Sequence, residues 1–414
     1  MVNISLYNQD LTDPNTVLDL AIDAYNANQF DLSCILCEAG LKLSMDYDLR
    51  YAYNELLCLS GFNTQSTIRH SRSKEIADHI GYLKNVTYDK KYSLLKLRSF
   101  HTSNIFQQAP STTLIPVEFT PLDNYFNCNI SVTNHNNEII GVLRTVNYDS
   151  RKYRQHGFFV DDGQYGRTRN FFVKFDNNLQ LIDAKEILYP IDFPEKTANA
   201  WALGFEDARI FVVNNEIWFS SSCMELNENA KTEIIVSKII PENDNYRMTD
   251  WYRILPRTGK NDTEKNWMPL VINNIPYWIY SSDPVIILDQ YGNIVSHKIP
   301  CIDASTYRGS TQLIPFDTGY LAIVHESVLL DELATSRNML HRFVMYDHWG
   351  NLIKVSDPFY INYIKMEMII GMCWNTNKTE LIVGISFEDR QTFLMRLNAN
   401  EVRNLLKNIN DLGK

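Results

Sequence analysis

Apolar residues near the start of the chain recur every three or four positions, which is the spacing of one face of an α-helix. Residues 16–25 have apolar side chains at positions 17, 18, 21, 22 and 25. Residues 31–43 repeat this spacing, and Asp31 is the expected N-cap of the second helix. Two further segments, 49–59 and 73–83, extend the pattern. The first hundred residues are therefore predicted to be helical.

Paired helices joined by short polar turns resemble tetratricopeptide-type hairpins, although no clean repeat of about 34 residues is present. Stacks of this kind usually serve as docking or spacer modules. We therefore expect residues 1–108 to form a small all-α, tetratricopeptide-like domain that offers a surface to a possible protein partner.

The pattern changes to a period of two after a loop rich in Ser, Thr, Gln and Pro at residues 101–120. Short alternating strands follow, separated by Asn, Asp and Gly turns, and no helical segment appears before residues 400–406. This predicts a mainly β fold, either a set of sandwiches or a propeller. The strands group into about five units that begin near residues 122, 200, 265, 307 and 366. We therefore predict a five-bladed β-propeller over residues 109–414.

Net charge and cysteine content limit the binding partners and the cellular compartment to be expected. The formal charge of −10 argues against nucleic acid or an anionic membrane as a general partner, while leaving room for a local basic pocket. The seven cysteines are odd in number and scattered, as expected of reduced thiols in the cytoplasm. Cys34 and Cys37 lie in a helical pattern without a second pair, so buried thiols are expected rather than a zinc site. No signal peptide, membrane span, metal or cofactor is predicted.

Several polar clusters interrupt the strand pattern where inner strands of a propeller would open into its central funnel. The first, residues 204–210, joins two acids to an arginine: Glu206, Asp207 and Arg209. Paired carboxylates beside a guanidinium suit sugar chemistry, because one can hold hydroxyls while the other moves a proton. A turn with a local Glu–Arg ion pair is the alternative.

The other clusters offer donors for anions or sugar hydroxyls, and each has a structural alternative. Lys265 and Asn266 can hold a phosphate or can lie in a solvated loop, and Arg308 introduces a polar stretch that can bind anions. His325 and Glu326 follow an apolar strand, and Glu367 is a further acid. The pair Arg144 and Asn147 can bind sugar hydroxyls or can tie two strands together.

In this order the clusters resemble glycoside hydrolase family 130, the β-mannoside phosphorylases and related β-1,2-mannosyltransferases, over residues 122–400. The resemblance implies a five-bladed propeller with Asp207 as the general acid, acting through a substrate hydroxyl, and Lys265 as the phosphate-holding lysine. His325 matches a histidine that the family usually follows with Gly, where this chain has Glu326. Glu367 matches an acid at the start of the last blade. Arg144 and Asn147 match an R-x-x-N-Y element of the transferase-like relatives.

Two departures from the phosphorylase pattern affect the expected reaction. Only Arg253 or Arg257 can replace the usual Arg-Asn pair for phosphate ahead of Lys265. Ala208, where the family usually has Pro, is a tolerable change, because the acid and the arginine on either side of it remain. The stretch 308–312 is closer to the transferases. We therefore expect inverting transfer of a mannosyl-type sugar from mannose 1-phosphate or GDP-mannose to a glycan acceptor. Phosphorolysis, hydrolysis with a second carboxylate, and a non-catalytic glycan- or protein-binding propeller remain as alternatives.

Overall fold

The structure is a computed structural model. It describes residues 11–27, 29–43, 56, 103–121, 125–148, 165–257, 263–302, 304–329, 337–361 and 366–411. Within these ranges, no helix combines the length and the apolar character that crossing a membrane requires.

Two helices lie near the start of the described chain, α1 (Pro14–Asn26) and α2 (Phe30–Leu43). Asp13 caps α1, because its carboxylate accepts hydrogen bonds from the backbone N–H groups of Asn15 and Thr16. The predicted N-cap of α2 is wrong, since that helix already begins at Phe30. The predicted helices at 49–59 and 73–83 lie outside the described residues, apart from residue 56. The tetratricopeptide-like character and the domain boundary stay predictions.

The rest of the described chain is mainly β, as predicted, and consists of five consecutive antiparallel units that we call blades 1 to 5. Blade 1 contains β3 (Phe126–His135), β4 (Glu138–Val146), β5 (Gly166–Phe175) and β6 (Leu181–Leu188). Blade 2 contains β8 (Glu206–Val213), β9 (Glu216–Cys223), β10 (Glu233–Glu242) and β11 (Asn245–Ile254). Blade 3 contains β12 (Met268–Ile272), β13 (Ile275–Ser282), β14 (Val285–Leu288) and β15 (Ile294–Lys298).

Blade 4 begins with an interrupted strand. It contains β16 (Arg308–Gly309) and β17 (Ile314–Phe316), which both pair with β18 (Gly319–Leu329), and then β19 (Arg337–Tyr346) and β20 (Leu352–Val355). Blade 5 contains β22 (Glu367–Trp374), β23 (Glu380–Phe387) and β24 (Gln391–Asn398), and its outermost strand is β2 (Thr113–Pro116). The shorter elements are β1 (Ser103–Asn104), α3 (Ile105–Gln108), β7 (Ala202–Leu203), β21 (Phe359–Tyr360), α4 (Ala399–Leu405), β25 (Lys407–Asn408) and a 3-10 helix (Ile409–Asp411).

The expectation of a loop over residues 101–120 is therefore wrong in part. This stretch contains β1, α3 and β2, and each of them is held by the blades. β1 pairs with β21, and Ile105 of α3 is fully buried in a hydrophobic cluster shared with blades 4 and 5. Composition alone did not indicate these elements, because their partners lie far away in the sequence.

The five blades close into a ring, because the first strand of each contacts its neighbours and β22 of the last blade packs on β3 of the first. A Cβ on Gly371 would lie 2.4 Å from the Cα of Ser131, so only glycine allows this close approach of blades 5 and 1. Gln312 of blade 4 donates to the carbonyls of Val132 and Met372 at 2.7 and 2.8 Å. The arrangement is that of a five-bladed propeller with a packed centre.

Candidate functional site

Asp207 lies at the start of the first strand of blade 2, in a β-bulge. The pairing of β8 with β9 shifts register between Glu206 and Arg209, and Asp207 has a φ of 52°, in the left-handed region. A non-glycine residue in this region costs about 1–3 kcal/mol, and such residues concentrate at functional sites. The bulge turns the carboxylate out of the strand pairing and toward blade 1, where Asn129 Nδ2 donates to its Oδ1 at 2.7 Å.

Arg144 of β4 joins the two acids of the bulge. Its guanidinium is almost fully buried, with Nη1 2.7 Å from Asp207 Oδ1 and Nη2 3.4 Å from Glu206 Oε1. Nη2 also donates to Tyr148 Oη at 3.1 Å, and Nε donates to Thr168 Oγ1 at 3.2 Å. Because its guanidinium contacts both carboxylates and is itself held by Tyr148 and Thr168, Arg144 orients Asp207 and Glu206.

The charge state of Asp207 follows from this environment. Burial by itself would raise the pKa of Asp207, but the positive charges of Arg144, Arg209 and Lys265 and the Asn129 hydrogen bond outweigh it and lower the pKa below its usual value. Asp207 is therefore ionised at neutral pH.

Lys265 extends the cluster toward blade 3. Its Nζ lies 3.2 Å from Glu206 Oε2, and its side chain is 40% exposed. Glu206 thus contacts Arg144 through one oxygen and Lys265 through the other. Asp207, Arg144, Glu206 and Lys265 form one continuous chain of ion pairs, which we call the Asp207 cluster.

Arg209 lies beside the Asp207 cluster and makes hydrogen bonds that link blades 2, 3 and 4. It is 2% exposed, and its guanidinium donates to the Asp207 carbonyl at 2.8 Å and to the Ser310 carbonyl of blade 4 at 2.6 Å. A weaker contact of 3.4 Å reaches Asn266 Oδ1, and Asn266 also has a positive φ of 64°. Burial lowers the pKa of Arg209 to about 10, which still leaves it charged. These contacts make Arg209 a positioning residue.

Arg308 and His325 face each other across the pairing of β16 with β18. Arg308 is exposed, whereas His325 is 3% exposed and its Nδ1 lies 2.7 Å from Ser310 Oγ. Burial, with His341, Arg209 and Arg308, lowers the pKa of His325 to about 3. His325 is therefore a neutral hydrogen-bonding group, and of this pair only Arg308 adds positive charge for a phosphate.

Three of the predicted substrate-binding residues make structural contacts. Asn147 is fully buried, accepting from Arg167 N at 2.6 Å and donating to the Tyr165 carbonyl at 3.0 Å, which favours the alternative that it ties two strands together. Glu326 is buried against Arg342, and Glu367 is fully buried and accepts from Ile361 N at 2.7 Å.

Arg253 and Arg257, the two candidates for the phosphate-binding Arg-Asn pair, lie away from the Asp207 cluster. Arg253 lies on β11, the outermost strand of blade 2, where it forms an ion pair with Glu233 at 2.5 Å. Arg257 follows the same strand and acts electrostatically on Asp289. The structure therefore brings Lys265 to the Asp207 cluster, but it places neither arginine on an inner strand.

Asp389 is a residue that sequence reasoning missed. It lies in the three-residue hairpin turn between β23 and β24, where both Glu388 and Asp389 have positive φ, of 51° and 53°. Asn and Gly usually occupy such turns, so an acidic pair at a hairpin tip was the available signal. Cys128 Sγ lies 3.3 Å from its Oδ1. Burial raises the pKa of Asp389, partly offset by Arg144, while the nearby charges of Asp207 and Glu206 add to the rise.

Asp389 therefore retains its proton to a higher pH than Asp207 does, and this leads to a prediction. In Asp389→Asn a neutral amide replaces a carboxyl that is protonated at low pH. The wild-type to variant ratio of kcat/KM should accordingly fall toward one as the assay is moved from alkaline to mildly acidic pH. A loss that grows as the pH falls would show instead that the protonated carboxyl is the active form, because an amide cannot give up a proton.

Metal ligation finds no support in the described ranges, where no three His, Cys, Asp or Glu side chains come together as metal ligands would.

Comparison with known proteins gives matches at the level of structure only. No protein-family model matches the sequence, and no curated protein matches it. The chain is similar to the β-1,2-mannobiose phosphorylase of Listeria innocua in complex with β-1,2-mannobiose, at 12% identity and a TM-score of 0.48, covering 70% of this chain and 96% of that one. It is also similar to MPT-1, a GDP-Man-dependent mannosyltransferase of Leishmania mexicana, at 12% identity and a TM-score of 0.45 over 69% and 90%. A GH43_1 enzyme of Xanthomonas citri complexed with xylotriose is 8% identical, with a TM-score of 0.43 over 70% and 90%.

Proposed function

We propose that this chain is an inverting glycosyltransferase that moves a mannosyl-type sugar from an activated donor to a glycan acceptor. The observation that carries the proposal is the Asp207 cluster, in which a carboxylate held by Arg144 lies beside an exposed ammonium group at Lys265. The order of the polar clusters along the chain, which resembles that of glycoside hydrolase family 130, supports the choice of sugar.

The proposed step transfers the sugar in a single displacement. The oxygen of an acceptor hydroxyl forms a bond to the anomeric carbon while the bond from that carbon to a phosphate oxygen breaks. Asp207 takes the hydroxyl proton, and the departing phosphate keeps the bonding electron pair. Attack from the face opposite the phosphate inverts the configuration.

The ionisation of Asp207 supports the synthetic direction. A carboxylate with a lowered pKa is ready to act as a base toward the acceptor hydroxyl, whereas an acid that starts phosphorolysis must first be protonated. The same group returns the proton in the reverse reaction, which is the acid role expected from the sequence.

The donor phosphate is assigned to the positive groups of blades 3 and 4. Lys265 is partly exposed, and Arg308 is exposed at the start of blade 4. Charge on the departing phosphate is stabilised by such cations in the transition state. Asn266 and the neutral His325 would contribute hydrogen bonds.

Phosphorolysis is the second candidate, and Asp389 is the observation that favours it. A carboxyl with a raised pKa close to one with a lowered pKa is an arrangement that acid–base pairs adopt. In that case inorganic phosphate would be the nucleophile and a β-mannoside the substrate.

A donor screen tests the proposal. The protein is incubated with mannose 1-phosphate or GDP-mannose and a panel of mannoside and glucoside acceptors, and products are detected by mass spectrometry. We expect a product extended by one hexose from at least one donor, with inverted configuration by NMR. No product from either donor with any acceptor would refute the proposal. Free mannose released from a mannobiose without phosphate would identify a hydrolase instead.

A further inference from the structure

A surface cleft of about 530 Å³ lies on the segment that connects the outermost strand of blade 1 to the first strand of blade 2. Its walls include Tyr189, Phe193, Glu195, Lys196 and Glu225. This volume is within the range of about 300–1,000 Å³ found for small-molecule sites. None of these five residues belongs to the Asp207 cluster.

One side of the cleft carries the rings of Tyr189 and Phe193, and the rings of Phe205 and Trp251, which do not line the cleft, pack against Phe193. The ring centroid of Phe193 lies 5.3 Å from that of Tyr189, 5.3 Å from that of Phe205 and 5.1 Å from that of Trp251. Rings that support one another in this way form a stiff apolar wall. The C–H groups on one face of a pyranose carry small positive charges, so such a wall suits a sugar ring.

The other side of the cleft supplies polar groups of both signs. Glu225 is 7% exposed and accepts hydrogen bonds from Tyr189 Oη at 2.6 Å and from Gly204 N at 2.5 Å. Glu195 is exposed, and Lys196 is half-buried with its Nζ 4.5 Å from the ring centroid of Tyr165. Carboxylates accept from sugar hydroxyls and the ammonium group donates to them. An apolar wall with a few polar groups is the usual composition of a ligand site.

The cleft is adjacent to the Asp207 cluster along the chain. Glu225 accepts a hydrogen bond from the backbone of Gly204, and Phe205, whose ring packs against Phe193, directly precedes Glu206. Three peptide units separate Gly204 from Asp207, so their Cα atoms lie no more than about 11 Å apart. One oligosaccharide can therefore reach both places.

The position of the cleft in the ring indicates whether it binds the acceptor or the donor. It lies at the junction of blades 1 and 2, whereas the cations assigned to the donor phosphate, Lys265 and Arg308, belong to blades 3 and 4. Asp207 stands between these two regions in the order of the ring. The cleft is therefore on the acceptor side.

We propose that this cleft binds the distal sugar units of an extended glycan acceptor, whose terminal unit lies at Asp207. The inference rests on the proposed function and specifies it further, because it makes oligosaccharides better acceptors than monosaccharides. A purine ring of a nucleotide donor can also stack on aromatic side chains, so the experiment includes that ligand.

Binding is measured by calorimetry on the Asp207→Asn variant, which removes turnover. The ligands are mannose, β-linked mannooligosaccharides of increasing length, and GDP. We expect the tetrasaccharide to bind about tenfold more tightly than mannose, as a few added hydrogen bonds and ring contacts would give. Combining Glu195→Gln with Lys196→Met should remove most of this difference. The matched control combines Glu228→Gln with Lys231→Met, two exposed residues on the neighbouring turn and outside the cleft walls, and should leave it intact.

Each other outcome overturns the inference. Affinity that does not depend on chain length, or an equal loss in the control, would show that the cleft does not bind glycan. A loss of GDP affinity with unchanged glycan affinity would assign the cleft to the nucleotide base. Because this assay reads binding and the donor screen reads product, failure of the inference and failure of the transferase proposal are distinguishable.

Discussion

Replacing Asp207 by Asn is expected to lower kcat about a thousandfold, because a positioned proton-transfer group contributes roughly 10²–10⁴ in rate. KM should change little, since the amide keeps the size of the carboxylate and its oxygen can still accept from Asn129 and Arg144. Asn also tolerates the left-handed backbone at this position, where φ is 52°, so the bulge should persist. Initial rates with the donor that succeeds in the screen, together with calorimetric acceptor binding, measure the effect.

Asp250 provides a matched control on the same blade. It also has a positive φ, of 50°, but its side chain is 66% exposed on the outermost strand. Asp250→Asn should therefore leave kcat within about twofold of wild type, as expected of surface substitutions away from special features. If Asp207→Asn behaves like Asp250→Asn, Asp207 takes no part in proton transfer.

Replacing Arg144 by Met is expected to lower the free energy of unfolding by about 3–5 kcal/mol, because removing one partner of a buried ion pair leaves the other charge uncompensated. The pKa of Asp207 should then rise, since burial, which opposes ionisation, would lose its strongest counterweight. The acid limb of the pH–rate profile should accordingly shift to higher pH. Chemical denaturation at several pH values and a pH–rate profile test both effects.

The pH dependence of stability has a defined sign. In the wild type the pKa of Asp207 is lower in the folded state than in the unfolded state, where it is about 3.9. Its contribution is therefore complete above the unfolded pKa and is lost as the pH falls through the folded value. Arg144→Met should weaken this acid-dependent part, while Arg209, Lys265 and Asn129 continue to favour the ionised form.

Arg169 on the adjacent strand β5 serves as the control for Arg144. It forms an ion pair with Glu186, but both side chains are about a quarter to a third exposed. A solvent-screened pair contributes about 0–1 kcal/mol, so Arg169→Met should be mild. Equal destabilisation by Arg144→Met and Arg169→Met would contradict the role assigned to the buried guanidinium.

The blades were largely predictable because their signals are local. Strand alternation and Asn-Asn turns mark each hairpin, and the structure places Asn136, Asn214 and Asn273 at φ of 52°, 51° and 51°, as such turns require. The expected unit starts at residues 122, 200, 265, 307 and 366 lie within six residues of the first strands. β2 was missed because its pairing with β24 spans the whole ring.

The site was predictable only where its residues share a local motif. Glu206, Asp207 and Lys265 stand next to strand starts in a recognisable order. Asn129 and Asp389 have no such mark. Asn129 reaches Asp207 across the junction of blades 1 and 2, and Asp389 comes near Asp207 only when blade 5 closes against blade 1. Ser386 of blade 5 fixes the Asn129 amide at 2.5 Å, and a sequence pattern cannot express that contact.

The pairing of β2 with β24 also has a consequence for biosynthesis. Blade 5 takes its outermost strand from the beginning of the ring and its other three from the end, so the ring cannot close until the ribosome has delivered β24. Until then β2 has no partner edge, and β3 lacks the strand β22 that covers it in the finished ring. Contacts this distant in sequence slow folding. The nascent chain therefore has an interval in which an early strand is open to chaperones or to wrong partners.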